Sequence, residues 1–212
     1  MMTLFLILVF LATAGLIWLH GLWGAALTLI NIVISMLIAM NLFEPISDAL
    51  EINADASFTY LYDFVVLWMV FFFTFGILRL ITDMLSKTRV KFDMPIEMAG
   101  RSILAIWCGW MMVCFTAFSL MMAPLNSETP LGAWASPNDG AMIFSPDRLW
   151  LGFVHSRSRG ALSRGKMEDG PDAHPDDESL NVEAFDPFGE FPIKYHDRRV
   201  KYVEEEQMRV AQ

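Results

Sequence analysis

The chain has 212 residues, a hydrophobic fraction of 55% and a formal net charge of −9. A soluble domain of this size is also close to half apolar, so the distribution of apolar residues decides the class. Residues 126–212 hold 16 of the 24 acidic and 10 of the 15 basic residues. This asymmetry predicts a membrane domain followed by a polar tail. The acidic balance gives no support for nucleic-acid binding.

The first stretch, residues 1–43, contains no Asp, Glu, Lys or Arg, and Glu44 is the first formal charge. A helix of that length reaches roughly 64 Å, about twice the thickness of a bilayer core. Two glycines and an interfacial tryptophan in 20–24 mark a turn, so we predict a transmembrane hairpin of spans 4–19 and 23–43. Signal-peptide cleavage is disfavoured, because no base precedes the apolar run and the run continues unbroken.

Two further spans are predicted at 59–80 and 102–125. Between the four spans lie an acidic loop at 44–58 and a basic segment at 79–101, which holds every base of the first 147 residues. Because basic loops stay in the cytoplasm, this segment predicts that both termini lie on the outer side of the membrane. The expected fold is an all-α integral membrane protein with four transmembrane helices in 1–125.

The polar tail, 126–212, has few apolar positions and is predicted to be acidic and partly disordered. Ser145, Pro146 and Asp147 are typical of a helix start, because they supply an N-cap, a proline in the first turn and an early acid. The other predicted segments follow in order: a linker at 126–140, an amphipathic helix at 148–162, disorder at 166–181, an extended segment at 185–195 and a short charged helix at 196–210.

Small and hydroxylic residues form a stripe on each of two spans, and such stripes let helices approach closely in lipid. We predict that spans two and four pack along them. The alternative is a polar path lined by Thr28, Asn31, Ser35 and Thr116, which is disfavoured because Ser and Thr also bond their own backbone. Asn31 is the best candidate for an interhelical hydrogen bond. The predicted packing residues are Gly24, Thr28, Asn31, Ser35 and Ala39 on span two, and Ser102, Ala105, Gly109 and Thr116 on span four.

Asp63 and His20 are the ionisable residues nearest to the membrane interior, and such groups are candidate functional residues. We favour an interfacial carboxylate for Asp63 over a role in ion or proton transfer, because no basic residue is expected at its depth. His20 is expected to be solvated rather than a ligand. Cys108 and Cys114 fall on different sides of one helix and are not expected to pair. No motif predicts catalysis, a metal site or a cofactor.

The turn His20-Gly21-Leu22-Trp23-Gly24 and the helix start after it resemble a turn in the colicin V production protein (CvpA) family. A second resemblance lies in Asp93 or Glu97 with Gly100 and Gly109, at the entry to the fourth span. The similarity covers about residues 1–125. The family usually has basic residues where this chain has His20 and Gly24.

The resemblance implies a non-enzymatic protein of the bacterial inner (cytoplasmic) membrane, so that the outer side predicted for both termini is the periplasmic side. It also implies a role in colicin V (toxin) production or export and in envelope function. The stripes add a hypothesis of assembly with copies of itself or with another membrane protein in the lipid bilayer. The alternative is a small channel or transporter subunit that uses Asp63 and the polar faces of spans two and four.

Overall fold

The computed structural model describes residues 1–51, 59–86, 92–123, 140–141, 144–158, 185–186 and 189–210. Within these residues all regular structure is helical, which confirms the predicted all-α class. The six helices are α1 (Met2–Trp18), α2 (Gly21–Glu51), α3 (Thr59–Leu85), α4 (Met94–Met122), α5 (Pro146–Ser158) and α6 (Phe191–Val210).

Three of these helices are long and apolar enough to cross a membrane. They comprise residues Gly21–Leu50 of α2, Leu61–Leu85 of α3 and Met94–Met122 of α4. The helix α1 is apolar but shorter, at 17 residues. These helices indicate a membrane protein.

Two helices extend beyond the predicted spans. The helix α2 continues through Pro45 to Glu51, eight residues beyond the predicted end of the second span at residue 43. Proline is tolerated in membrane helices where neighbouring groups compensate for the missing backbone donor. The helix α4 begins at Met94, eight residues before predicted position 102, with a proline in its first turn and Glu97 close behind. These are ordinary helix-start signals, and they lie inside the segment that was predicted to be a basic loop.

The helices pack in a definite order along the bundle. The helix α2 contacts both α3 and α4, and α1 packs along α4. We call the end that contains Gly21, Leu85 and Met94 the turn end. The opposite end, with Glu51 and Met122, is the tail end.

The described part of the tail packs against the membrane helices. The helix α5 lies on α4, where Trp150 meets Phe115 edge-on with ring centroids 5.7 Å apart. The helix α6 contacts α3 and α4 at the tail end, and Phe191 stacks on Phe118 at 5.1 Å. Buried aromatic side chains therefore join the tail to the bundle.

Of the two helices in the tail, one begins where it was predicted and the other begins earlier. The helix α5 begins at Pro146, as predicted. The helix α6 begins at Phe191, so the prediction of an extended segment through residue 195 is wrong for 191–195. These residues gain burial as a helix, since Phe191 and Tyr195 are one turn apart and both buried. The predicted linker up to residue 139 and the predicted disorder at 166–181 lie outside the described residues.

Candidate functional site

Asp63, one turn into α3, is the centre of a polar cluster at the tail end, which we call the Asp63 cluster. Its side chain is buried, at 5% exposure. Ser47 of α2 donates its hydroxyl hydrogen to Asp63 Oδ1. From α6, Tyr195 Oη donates to Asp63 Oδ2 at 2.6 Å, and Arg198 Nη1 forms an ion pair with the same oxygen. The carboxylate thus has three donors, from two helices besides its own.

Two neighbouring residues of α6 contact other helices of the bundle and so fix α6 beside Asp63. Arg199 is buried, and its Nη1 donates to the carbonyl of Met121 at 3.1 Å. That carbonyl lies in the last turn of α4, where helix carbonyls lack intrahelical donors. Lys194 forms a longer ion pair with Glu44 of α2, at 3.7 Å between Nζ and Oε1. The helix α6 therefore binds α2, α3 and α4 through side chains that lie within two of its turns.

The cluster corrects the prediction that Asp63 lacks a basic partner. Arg198 is that partner, and it comes from the tail, 135 residues away in the sequence. The prediction compared Asp63 only with bases inside the spans and the loops between them. Tyr195 and Arg198 are three residues apart and share one face of α6, which is the local signal that was available in the sequence.

Burial and charge affect the titration of two residues of α6. Burial raises the pKa of Tyr195 well above its ordinary value, and the negative charge of Asp63 and the hydrogen bond to it act in the same direction. Burial lowers the pKa of the Arg199 guanidinium, because its charged form loses hydration. The neutral phenol of Tyr195 is therefore held as a donor to Asp63 over an extended pH range.

A second polar contact closes the turn end. Gly21 has a φ of +75°, in the left-handed region that favours glycine. The next residue, Leu22, donates its backbone N–H to Glu97 Oε1 of α4 at 2.8 Å. A Cβ on Gly21 would lie 2.9 Å from that same carboxylate oxygen, and a Cβ on Gly100 would lie 2.6 Å from Leu22 Cδ1. The hairpin turn and the start of α4 therefore fit closely together.

The polar residues of the α2 stripe face α3 rather than α4. Asn31 Nδ2 donates to Thr82 Oγ1 at 2.9 Å, which is an interhelical hydrogen bond with a different partner helix from the one predicted. Thr28 Oγ1 accepts from Arg79 Nη1 at 2.8 Å. Ser35 is buried and donates to the carbonyl of Asn31 at 2.6 Å. The other stripe residues on α2, Gly24 and Ala39, are half-buried and buried.

The α4 stripe faces α1 in part, which also differs from the predicted pairing of spans two and four. A Cβ on Gly109 would lie 2.9 Å from Phe10 Cδ2 of α1. Ser102 accepts a hydrogen bond from Trp18 Nε1 at 3.2 Å. Ala105 and Thr116 are buried. Because α2 lies between α3 and α4, each stripe has two possible neighbours, and the sequence alone did not distinguish them.

His20 is exposed in the turn, and its Nδ1 lies 2.8 Å from the carbonyl of Leu16. It contacts the last turn of the preceding helix α1, and it lies at the turn end of the bundle, whereas Asp63 lies at the tail end. Within the described part of the chain, no three His, Cys, Asp or Glu residues come close enough to hold a metal ion.

Comparisons with known proteins give no family for the chain: no protein-family model matches it, and neither curated proteins nor solved structures gave a match.

Proposed function

We propose that this chain is a non-enzymatic membrane protein that acts by assembly, with a role in the bacterial envelope and in toxin production or export similar to that of the CvpA family. The observation that favours this role over transport is the bonding of Asp63. A carboxylate that moves ions or protons must exchange them with a pathway, whereas Asp63 is bonded by three donors of its own chain. Its chemistry supports a structural role.

The two functions predict different results for Asp63→Asn. A channel or transporter based on Asp63 loses its flux in liposomes when the carboxylate is removed. The assembly role predicts no flux that depends on this residue, together with weaker docking of α6, which limited proteolysis detects. A flux that disappears in a variant with normally docked α6 contradicts the assembly role.

The turn end supports the resemblance to the CvpA family. The two stretches that carry it, the turn at 20–24 and the entry to α4, meet directly through Leu22 and Glu97. Glycine is required at Gly21 by its positive φ and is favoured at Gly100 by the close approach of Leu22. Residues that look similar to family motifs thus form one contact.

We further propose that α1 is a fourth span, with both chain termini on the outer side of the inner membrane. Its 17 residues reach the lower limit for a transmembrane helix, about 17. It packs along α4, which is itself long enough to cross. Reporter fusions at Gly21, Asp55, Lys91 and Gln212 test every loop and the C-terminus. A cytoplasmic Gln212 contradicts this topology.

The face that mediates assembly is proposed to lie on α3. In the most apolar 18-residue stretch of each helix, only 17% of the residues of α3 are buried, against 44% for α2 and 61% for α4. Phe72 and Phe73 are exposed there, and Gly76 lies one turn further along with open space around its Cα. Aromatic side chains around a small residue suit close contact with another helix in lipid.

Crosslinking in detergent and in native membranes tests this face. We expect Gly76→Leu to lower the yield of crosslinked oligomer or partner, because an added Cβ at this position meets no atom of its own chain within 4 Å. Gly15→Leu on α1 is the matched control, since Gly15 also has open space. Gly109→Leu is unsuitable, because it collides with Phe10 of the same chain. An unchanged yield for Gly76→Leu contradicts the proposed face.

A further inference from the structure

A groove of about 810 Å³ lies between α2 and the tail, beside the Asp63 cluster. Its wall on α2 is formed by apolar residues that include Ile34, Leu37 and Ile38, and Val154 and Phe191 line it from the tail. At its charged margin the lining consists of charged side chains from α2, α5, α6 and the residues that precede α6. The groove is thus apolar along one part and charged along the other. A molecule with an apolar chain and a charged headgroup would match both parts.

The position of the groove matches one leaflet of a bilayer. Its α2 lining runs from Ile34 to Glu44, the first formal charge of the chain. Ten helical residues span about 15 Å, which is half of a hydrocarbon core about 30 Å thick. Ile34 and Leu42 are both exposed along this length. An acyl chain of the leaflet at the tail end therefore has the right depth to enter the groove.

The charged margin fits a headgroup that carries both signs. It contains two cations, Arg157 and Lys194, and three carboxylates, Glu44, Asp186 and Glu190. Lys194 is paired with Glu44 at 3.7 Å, and Asp186 accepts the backbone N–H of Phe191 at 3.0 Å. An anionic headgroup meets an excess of negative charge here, whereas a zwitterionic headgroup meets partners for both of its charges.

We propose that this groove binds one zwitterionic aminophospholipid of the phosphatidylethanolamine type, with an acyl chain along α2. The phosphate lies at Arg157, whose planar guanidinium suits phosphate oxygens. The ammonium group lies at Glu190. This site rests on the membrane insertion of α2 and on no part of the proposed assembly role, so it fails or stands separately from the crosslinking result.

Lipid retention by the purified full chain tests the site. The protein is delipidated in detergent and reconstituted with equal amounts of phosphatidylethanolamine and phosphatidylglycerol. After re-extraction, bound lipid is counted by native mass spectrometry. We expect one retained phosphatidylethanolamine per chain. Ile38→Trp fills the groove and is expected to lose that lipid. Ile30→Trp is the matched control, because Ile30 is exposed on α2 outside the groove lining.

Two surface variants keep the test decisive if Ile38→Trp fails to fold. Arg157 and Glu190 are exposed, so their loss leaves the core intact. Arg157→Gln is expected to weaken retention about tenfold, the effect of one lost charge-assisted contact. Glu190→Gln is expected to reduce the preference for phosphatidylethanolamine over phosphatidylglycerol.

Several outcomes overturn the proposal. Equal retention of the two lipids removes the headgroup selectivity on which it depends. Unchanged retention in both Ile38→Trp and Arg157→Gln places the lipid elsewhere. A wild-type chain that retains no lipid overturns the proposal by itself, and protection of Ile38→Cys from maleimide then shows that protein occupies the groove instead. That protein is then either a second copy or a segment of the same chain.

Discussion

The two ends of the helical bundle use the same kind of chemistry with partners of different origin. At the turn end, Glu97 binds the backbone of the α1–α2 hairpin, and Arg79 and Asn31 bond across α2 and α3. All of these groups belong to the membrane helices and their turns. At the tail end, Asp63 depends on Tyr195 and Arg198, which lie 132 and 135 residues further along the chain.

The two ends differ in which helices must be packed before their polar contacts can form. The turn end is complete once α1 to α4 have packed. The tail end has a buried carboxylate that remains poorly compensated until α6 has docked, and an unpaired buried charge is costly. The described part of the tail is therefore bound into the membrane domain by an electrostatic requirement as well as by its aromatic contacts. The predictions below compare the two ends, beginning with the largest effect.

Loss of Arg198 is expected to have the largest effect. Arg198→Met leaves Asp63 buried without its cation, and breaking such a pair costs about 3–5 kcal/mol. Since the Arg198 side chain is 29% exposed, the lower end of that range applies. We expect α6 to undock before the bundle unfolds, measured as a lower thermal midpoint and faster proteolysis within α6.

The matched control removes a different cation from the same helix. Lys194 and Glu44 are 48% and 44% exposed in their side chains, so Lys194→Met is expected to cost less than about 1 kcal/mol. If both variants have the same modest effect, Arg198 does not compensate a buried charge, and the proposed dependence of the tail end on α6 is wrong.

A smaller effect is expected from Gly21→Ala at the turn end. An L-residue at a φ of +75° costs roughly 1–2 kcal/mol, and the new methyl group also crowds Glu97. Gly15→Ala is the control, since it lies within α1 with open space and favours the helix. Thermal midpoints of the two variants in detergent measure the difference. A Gly21→Ala midpoint as high as that of Gly15→Ala contradicts a strained, closely fitted turn.

The same contrast explains which features the sequence predicted. The helical class, the hairpin turn and the start of α5 depend on local signals, namely the absence of charge in 1–43, the glycines at 21 and 24, and Pro146. These features appear in the structure close to where they were predicted. The lengths of α2 and α4 were underestimated, because Pro45 and the charges near Glu97 are ordinary signals for the end of a span.

The hydrogen-bond and ion-pair partners of the polar groups could not be predicted from local sequence signals. A stripe such as that of Thr28 and Asn31 fixes a face of a helix but does not specify which neighbour covers it. For Asp63 the partner is a tail arginine, and no spacing rule connects residues separated by 135 positions. Such pairs follow from the docking of whole helices, so they need the tertiary structure.

Removal of one interhelical hydrogen bond at the turn end is expected to have a modest effect. Thr82→Val keeps the shape of the side chain but removes the acceptor for Asn31. Hydrogen bonds between membrane helices contribute about 0.6 kcal/mol on average. Thr82→Ser is the control, because it retains the hydroxyl group. A loss as large as that of Arg198→Met contradicts the view that the tail end bears the more costly group.

An effect that is absent at neutral pH and appears only in alkali is expected from the ionisation of Tyr195. Its pKa is raised in the folded protein by burial first and then by Asp63, with Glu44 acting in the same direction and Arg198 opposing. An undocked tyrosine ionises near pH 10. Below that pH both states are protonated and the docked state is fully stable. As the pH rises from about 10 towards the folded pKa, only the undocked state loses its proton, so docking weakens.

Ultraviolet titration of the phenolate groups, together with proteolysis of α6, measures this linkage. The wild-type chain has four tyrosines, and we expect one to ionise later than the rest. Tyr195→Phe should abolish the late step and make the alkaline loss of α6 protection shallower. If the late step persists in Tyr195→Phe, the buried phenol at the tail end is not its source.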